Sequence, residues 1–178
     1  VATDWGNLGN MDQPMDLYLF RENGLWHAFT TNSNNNTVTR FDFSSGGIAN
    51  PPVAVNLGNT GGFLNYPTGI FALNTAGNWH VFITNGFGGN IVRLDFGASL
   101  LNIPVPVNLG DPGGVIQSGR DITIIQSCSQ IIGLVADGVA ESVVKLDFHN
   151  DVLSVPTAVS LGNIGNFTFP HSLSTPFR

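Results

Sequence analysis

Four residues of the 178-residue chain have the types and positions to serve a ligand: Asp16, Arg120, Asp121 and His171. They fall at matching points of four aligned stretches, Pro14-Met15-Asp16, Pro67-Thr68-Gly69, Gly119-Arg120-Asp121 and Pro170-His171-Ser172. Two carboxylates, a guanidinium and an imidazole converging at one place would offer a ligand both signs of charge and several hydrogen-bonding groups. A calcium ion needs about six to eight oxygen ligands. Only Asp16 and Asp121 are placed to supply carboxylates, so no metal and no other cofactor is expected. A second set, Trp26, Trp79, Tyr66 and Asn85, combines aromatic faces with an amide. Such groups suit neutral recognition of sugars or peptides, and the tryptophans equally suit packing between repeats. No Ser-His-Asp order, Cys-His pair, phosphate-binding glycine loop or EF-hand loop is present.

The elements that position these residues are set by internal repetition. Asn7-Leu8-Gly9-Asn10 returns as Asn56-Leu57-Gly58-Asn59, Asn108-Leu109-Gly110-Asp111 and Ser160-Leu161-Gly162-Asn163, at Leu-to-Leu steps of 49, 52 and 52 residues. Arg40-Phe41-Asp42-Phe43 returns as Arg93-Leu94-Asp95-Phe96 and Lys145-Leu146-Asp147-Phe148. Trp26-His27-Ala28-Phe29 returns as Trp79-His80-Val81-Phe82. Each cation lies two residues before its Asp, on one strand face, and predicts an ion pair repeated in every unit. His27 and His80 share the structural reading of the tryptophans beside them.

Each unit reads as four short strands. In the second, Gly69–Leu73 is an apolar run, Trp79–Thr84 is aromatic and β-branched, and Ile91–Phe96 and Val105–Leu109 follow after turn clusters. Pro104 and Pro106 place the last strand at an edge, since proline cannot donate to a ladder. Four strands in about 50 residues is the size of a β-propeller blade. The expected fold is all-β: three complete four-stranded propeller blades, with partial blades at both ends. The repeats run 11–59, 60–111 and 112–163, and a fourth begins at 164. A β-trefoil also has three repeats, but the partial units at Trp5–Asn10 and Phe167–Arg178 disfavour it. Three blades do not close a ring. Leaving roughly six apolar side chains wet on each end face would cost about 9 kcal/mol per face, comparable to a domain's whole stability of about 5–15 kcal/mol. The remaining blades are therefore expected from the same or another chain.

Composition narrows the partners. The net charge is −6 with only six Lys and Arg, so nucleic acid and anionic membranes are excluded by charge. No apolar run reaches the roughly 20 residues of a spanning helix, and no membrane insertion is expected. Charged residues are 10% of the chain and apolar ones 42%, a balance opposite to that of disordered segments. Val1-Ala2-Thr3-Asp4 has no signal-peptide character, so an export signal would lie outside this sequence. Cys128 is the single cysteine and reads as a small apolar strand residue.

The repeat consensus is Leu-Gly-Asn, then Pro-x-Gly-Ile, Asn-Trp-x-x-Phe-x-Thr-Asn, and Asn-x-Val-x-Arg-Leu-Asp-Phe-Gly. Leu57–Asn59, Pro67–Ile70, Asn78–Asn85 and Asn90–Gly97 carry nearly all of it. This resembles the propeller repeats of large secreted Bacteroidota proteins, gliding-motility-associated and exported by type IX secretion. The third repeat departs from it, with Ile131 for the Trp and Gly119 for the Pro. The resemblance implies a secreted or cell-surface location, with adhesion or display as the role and a surface protein or glycan as partner. A non-enzymatic module of that kind is the expectation. The alternatives are a glycan-binding, lectin-like propeller and a calcium-dependent, lactonase-like hydrolase.

Overall fold

The computed structural model describes residues 4–127 and 129–174, so Cys128 lies outside the described residues. Within them, three four-stranded antiparallel sheets follow one another along the chain. The first contains β1 (Pro14–Glu22), β2 (Leu25–Asn32), β3 (Thr37–Asp42) and β4 (Val53–Gly58). β5 (Pro67–Thr75), β6 (Asn78–Asn85), β7 (Ile91–Gly97) and β8 (Val105–Gly110) form the second. In the third are β9 (Gly119–Gln126), β10 (Ile131–Asp137), β11 (Ser142–Asp147) and β12 (Thr157–Ser160). Consecutive strands are neighbours in every sheet. The chain is thus an all-β array of three repeated sheets, and the array is not closed on itself.

The recurrent Asn-Leu-Gly-Asn motif ends the fourth strand and starts the return to the next sheet. The Asn56 and Asn108 side-chain oxygens accept the N–H of Gly58 and Gly110 at 2.7 and 2.9 Å. These glycines hold φ of +72° and +70°, a conformation costly for a residue with a Cβ. The motif's last residue then pins the loop. Asn59 Oδ1 accepts the Leu64 N–H, Asp111 Oδ1 accepts Val115 and Ile116, and Asn163 Oδ1 accepts Phe167. One four-residue sequence thus closes a turn and anchors the loop after it.

The second sheet lies between the other two, which explains its apolar residues on both strand parities. Ile70, Ala72, Val81, Ile83 and Leu94 pack with Phe20, Phe29 and Val38 of the first sheet. Phe71, Phe82 and Ile91 pack with Ile122, Val135, Val144 and Phe148 of the third. Polar latches join the same pairs of sheets. Thr31 Oγ1 donates to the Thr68 carbonyl (2.6 Å), and Thr68 Oγ1 donates to that of Gly119 (2.5 Å). Gly69 sits so close to β9 that a Cβ there would come within 2.5 Å of the Asp121 Cα. The sheets therefore touch backbone to backbone at their inner strands.

Neither terminal partial repeat forms a strand among the described residues. Residues 5–11 pass along the outer face of the first sheet, where the Gly9 carbonyl accepts Thr39 Oγ1 and Asn56 Nδ2. Residues 163–174 follow the third sheet.

Candidate functional site

The inner strands β1, β5 and β9 each carry a register shift just after their first residue. The shifts re-aim Asp16 and Asp121. Asp16 accepts the N–H of Leu17 at 2.7 Å and, across the sheet boundary, that of Ile70 at 2.8 Å. Asp121 accepts Ile122 at 2.7 Å and Leu173 at 2.6 Å. Each carboxylate therefore ties its own strand to the segment 52 to 54 residues further on. Burial raises both carboxyl pKa values above the ordinary range, against the lowering effect of those N–H donors, and the charge of Asp16 adds to the rise at Asp121.

The four residues predicted to converge divide into two groups. Asp16 and Asp121 come close enough for their charges to interact. Arg120 forms no ion pair with either among the described residues; its guanidinium lies 4.6 Å over the Phe169 ring. His171 meets the same ring edge-on at 4.8 Å. No cluster of three or more His, Cys, Asp or Glu suited to a metal occurs among the described residues. The oxygens of Asp16 and Asp121 are already engaged by backbone N–H groups, so this pair alone does not make a calcium site.

Raised carboxyl pKa values have a definite consequence. Such groups favour the folded state most below their unfolded pKa, and that contribution is lost as pH rises through the folded pKa. An Asp16→Asn variant keeps an acceptor for Ile70 and removes the titration. We expect its stability to depend less on pH than that of the parent between neutral pH and the ordinary carboxylate range. Urea unfolding at several pH values measures this, and an unchanged pH dependence would contradict the role assigned to Asp16.

The second predicted set is placed differently. Asn85 is fully buried: its Oδ1 accepts the Asn65 N–H, and its Nδ2 donates to the Phe63 carbonyl and to Asn90 Oδ1. It pins two loops and offers no amide to a ligand. Trp79 packs at a tilt against Phe20 of the first sheet, with ring centroids 5.4 Å apart, as inter-repeat packing requires. Trp26, its aligned counterpart, is half-buried beneath the Arg21 guanidinium at 5.2 Å. Tyr66 is half-buried and pairs with the exposed Phe87 at 4.6 Å on the loop side.

The cation–Asp pairs are present and larger than the sequence indicates. Arg40 Nε donates to Asp42 while its Nη1 reaches the Leu100 carbonyl of the next sheet. Arg93 repeats both contacts, with Asp95 and the Val152 carbonyl. His27 and His80 each place Nδ1 on the same Asp, at 2.8 and 2.6 Å. Burial by itself would raise Asp95, but the hydrogen bonds and charges of Arg93 and His80 prevail and hold its pKa low. The third unit keeps a longer Lys145–Asp147 pair of 3.6 Å. Glu22, which belongs to none of the repeated motifs, is buried and accepts the Leu100 N–H and Ser99 Oγ–H across the first boundary. The only sequence signal is its replacement by Thr75 one repeat later.

No family model matches the chain, and no curated protein matches it. Among solved structures it is similar to the catalytic domain of a Coprinopsis cinerea GH62 alpha-L-arabinofuranosidase, with a TM-score of 0.62 at 14% identity. The match covers 91% of this chain and 54% of the other, so the chain spans about half that domain's length. At that identity the likeness concerns the fold alone, an all-β array of repeated antiparallel sheets.

Proposed function

We propose that this chain is an arc of a β-propeller that serves as a non-enzymatic extracellular module for adhesion or display. One observation carries the arc. The outer face of the first sheet aligns, position for position, with the face of the second sheet that the first one covers. Leu17 and Leu19 occupy the positions of Ile70 and Ala72, yet are 61% and 41% exposed against 1% and 6%. A cavity of about 410 Å³ there is lined by Trp5, Leu17, Leu19, Phe41 and Phe43. At the other end, Thr123, Ile125, Leu134 and Val143 occupy the positions by which Phe71, Leu73, Phe82 and Ile91 contact the third sheet. Further sheets of this repeat, from the same polypeptide or another, fit both faces.

The adhesive or display role is supported by how the polar residues are used. Recurrent charged groups are turned inward to join sheets, which makes a rigid frame. The loops at one end of that frame interlock through amides, as where Asn34 and Asn35 bind Asp12 and Asn10. They leave Tyr66 and Phe87 outward for a surface protein or glycan. A secreted or cell-surface location follows from this reading and from the resemblance of the repeats.

Intact mass and light scattering on the native protein test the arc. We expect either a polypeptide well above 18.9 kDa or a discrete oligomer of chains of that mass. A stable, folded 18.9 kDa monomer would overturn ring closure. Antibody labelling of unpermeabilised source cells and their medium tests location, and exclusively internal protein would refute it.

A further inference from the structure

The two sheet boundaries share the arginine contact with the β7–β8 loop and its counterpart in the third sheet, but differ beside it. In the first, the Glu22 carboxylate fills the space beneath the β7–β8 loop, accepting the Leu100 N–H at 3.1 Å and the Ser99 hydroxyl at 3.3 Å. In the second boundary Thr75 stands for Glu22, Asp151 for Ser99 and Val152 for Leu100. The equivalence of the loops is fixed by the arginines, which reach the Leu100 and Val152 carbonyls in the same way. Thr75 is too short to reach the loop, and the Val152 N–H has no acceptor among the described residues. A cavity of about 400 Å³ opens at this place. Its lining includes Thr75, His80, Asp95, Gln126, Asp151 and Val152.

We propose that this cavity is a binding site for a neutral polyhydroxylated ligand of monosaccharide to disaccharide size. The volume lies within the roughly 300–1,000 Å³ of small-molecule sites. Its chemistry selects against charge. A carboxylate ligand would meet Asp95 and Asp151. For a cation, Asp95 is already paired with Arg93 at 2.7 Å, and the oxygens of Asp151 are occupied by the Leu153 N–H and the Ser154 hydroxyl. A sugar hydroxyl suits the place because it both accepts and donates. It takes the Val152 N–H as the Glu22 carboxylate takes that of Leu100, and it donates to the Asp95 or Asp151 oxygens. The His80 ring, 5% exposed and held by Asp95 through Nδ1, also lines the cavity. The amides of Asn78, Gln126 and Asn150 extend the same neutral lining.

The site lies between two sheets of this chain and stands whether or not a ring closes. Ligand-observed saturation-transfer NMR tests it on the native protein, with D-xylose, D-glucose and D-galactose as probes. We expect saturable transfer from at least one sugar with a Kd of about 1 mM or tighter. Thr75→Glu should supply the carboxylate seen at the other boundary and weaken binding at least about tenfold. Asn78→Trp, at the exposed rim, should do the same by occlusion, while Thr75→Val should retain binding. Absence of transfer from all three sugars overturns the proposal. So does transfer that survives both Thr75→Glu and Asn78→Trp, or displacement of the sugars by acetate or ammonium at equal concentration.

Discussion

Phe82→Ala is expected to lower unfolding stability by about 3–5 kcal/mol. Phe82 is fully buried on the face of β6 that meets the third sheet, with its ring 5.4 Å from that of Phe148 and nearly perpendicular to it. Truncation removes the transfer free energy of a ring and leaves a cavity between two sheets that are held apart by the rest of their contacts. They cannot collapse into it, because the threonine and arginine latches fix their spacing. Against a total stability of about 5–15 kcal/mol, the loss is a large fraction. Phe82→Leu keeps most of the volume and should cost about 1.5 kcal/mol or less. Urea titrations read both through the midpoint. An alanine variant within about 1 kcal/mol of the parent would show that the second and third sheets are not packed as described.

Arg93→Ala should be nearly as damaging, at about 3–5 kcal/mol, for an electrostatic reason. Arg93 is almost fully buried, bonds Asp95 through Nε and Nη2, and donates to the Val152 carbonyl through Nη1. Its removal leaves the Asp95 carboxylate inside the boundary with only His80 to answer it. The pH dependence identifies the cause. Asp95 has a folded pKa below its unfolded value, so its contribution is present above the unfolded pKa and lost as pH falls through the folded one. The parent should therefore lose this stability only at acid pH, below the ordinary carboxylate range. Arg93→Ala should lose stability already at neutral pH and show a flatter acid limb. Denaturant midpoints from neutral to acid pH make the comparison; parallel curves would mean that Arg93 acts by packing alone.

Much of the architecture is legible in the sequence because it is said three times. Strand positions, the Gly turn after each fourth strand and the ion pairs at two-residue spacing all follow from local rules that operate within a few residues. Contacts across a boundary are a different matter. Nothing near Arg40 in sequence indicates that its guanidinium ends on a carbonyl 60 residues away. Asn85 looked like a loop residue because the turn around it is rich in Gly and Asn, whereas the register makes it the last residue of β6 and turns it inward. Trp26 and Trp79 align but have different surroundings, since Phe20 packs on one and a surface arginine on the other. The quartet Asp16, Arg120, Asp121 and His171 was legible as a set of aligned positions. Its division into a carboxylate pair and an Arg120–Phe169–His171 stack was not, because Phe169 lies outside the aligned stretches. The cavity at Thr75 was hidden for the opposite reason: it depends on one repeat failing to copy another.

In the proposed arc, the outer faces of the first and third sheets are meant for each other and not for themselves. One offers the Leu17 and Leu19 surface that receives a neighbour; the other offers Ile125 and Leu134, the side that is received. Two copies meeting through the same face would set like surfaces together, so a two-fold, self-matching interface is not the arrangement this repeat is built for. Association of the proposed kind through these faces would be heterologous, with a direction. Each unit added covers one face and presents the next, so addition stops only when the accumulated rotation brings the last face back to the first. The same packing that makes a closed ring at one inter-sheet angle makes an open, growing filament at another, and the inter-sheet latches are what set that angle.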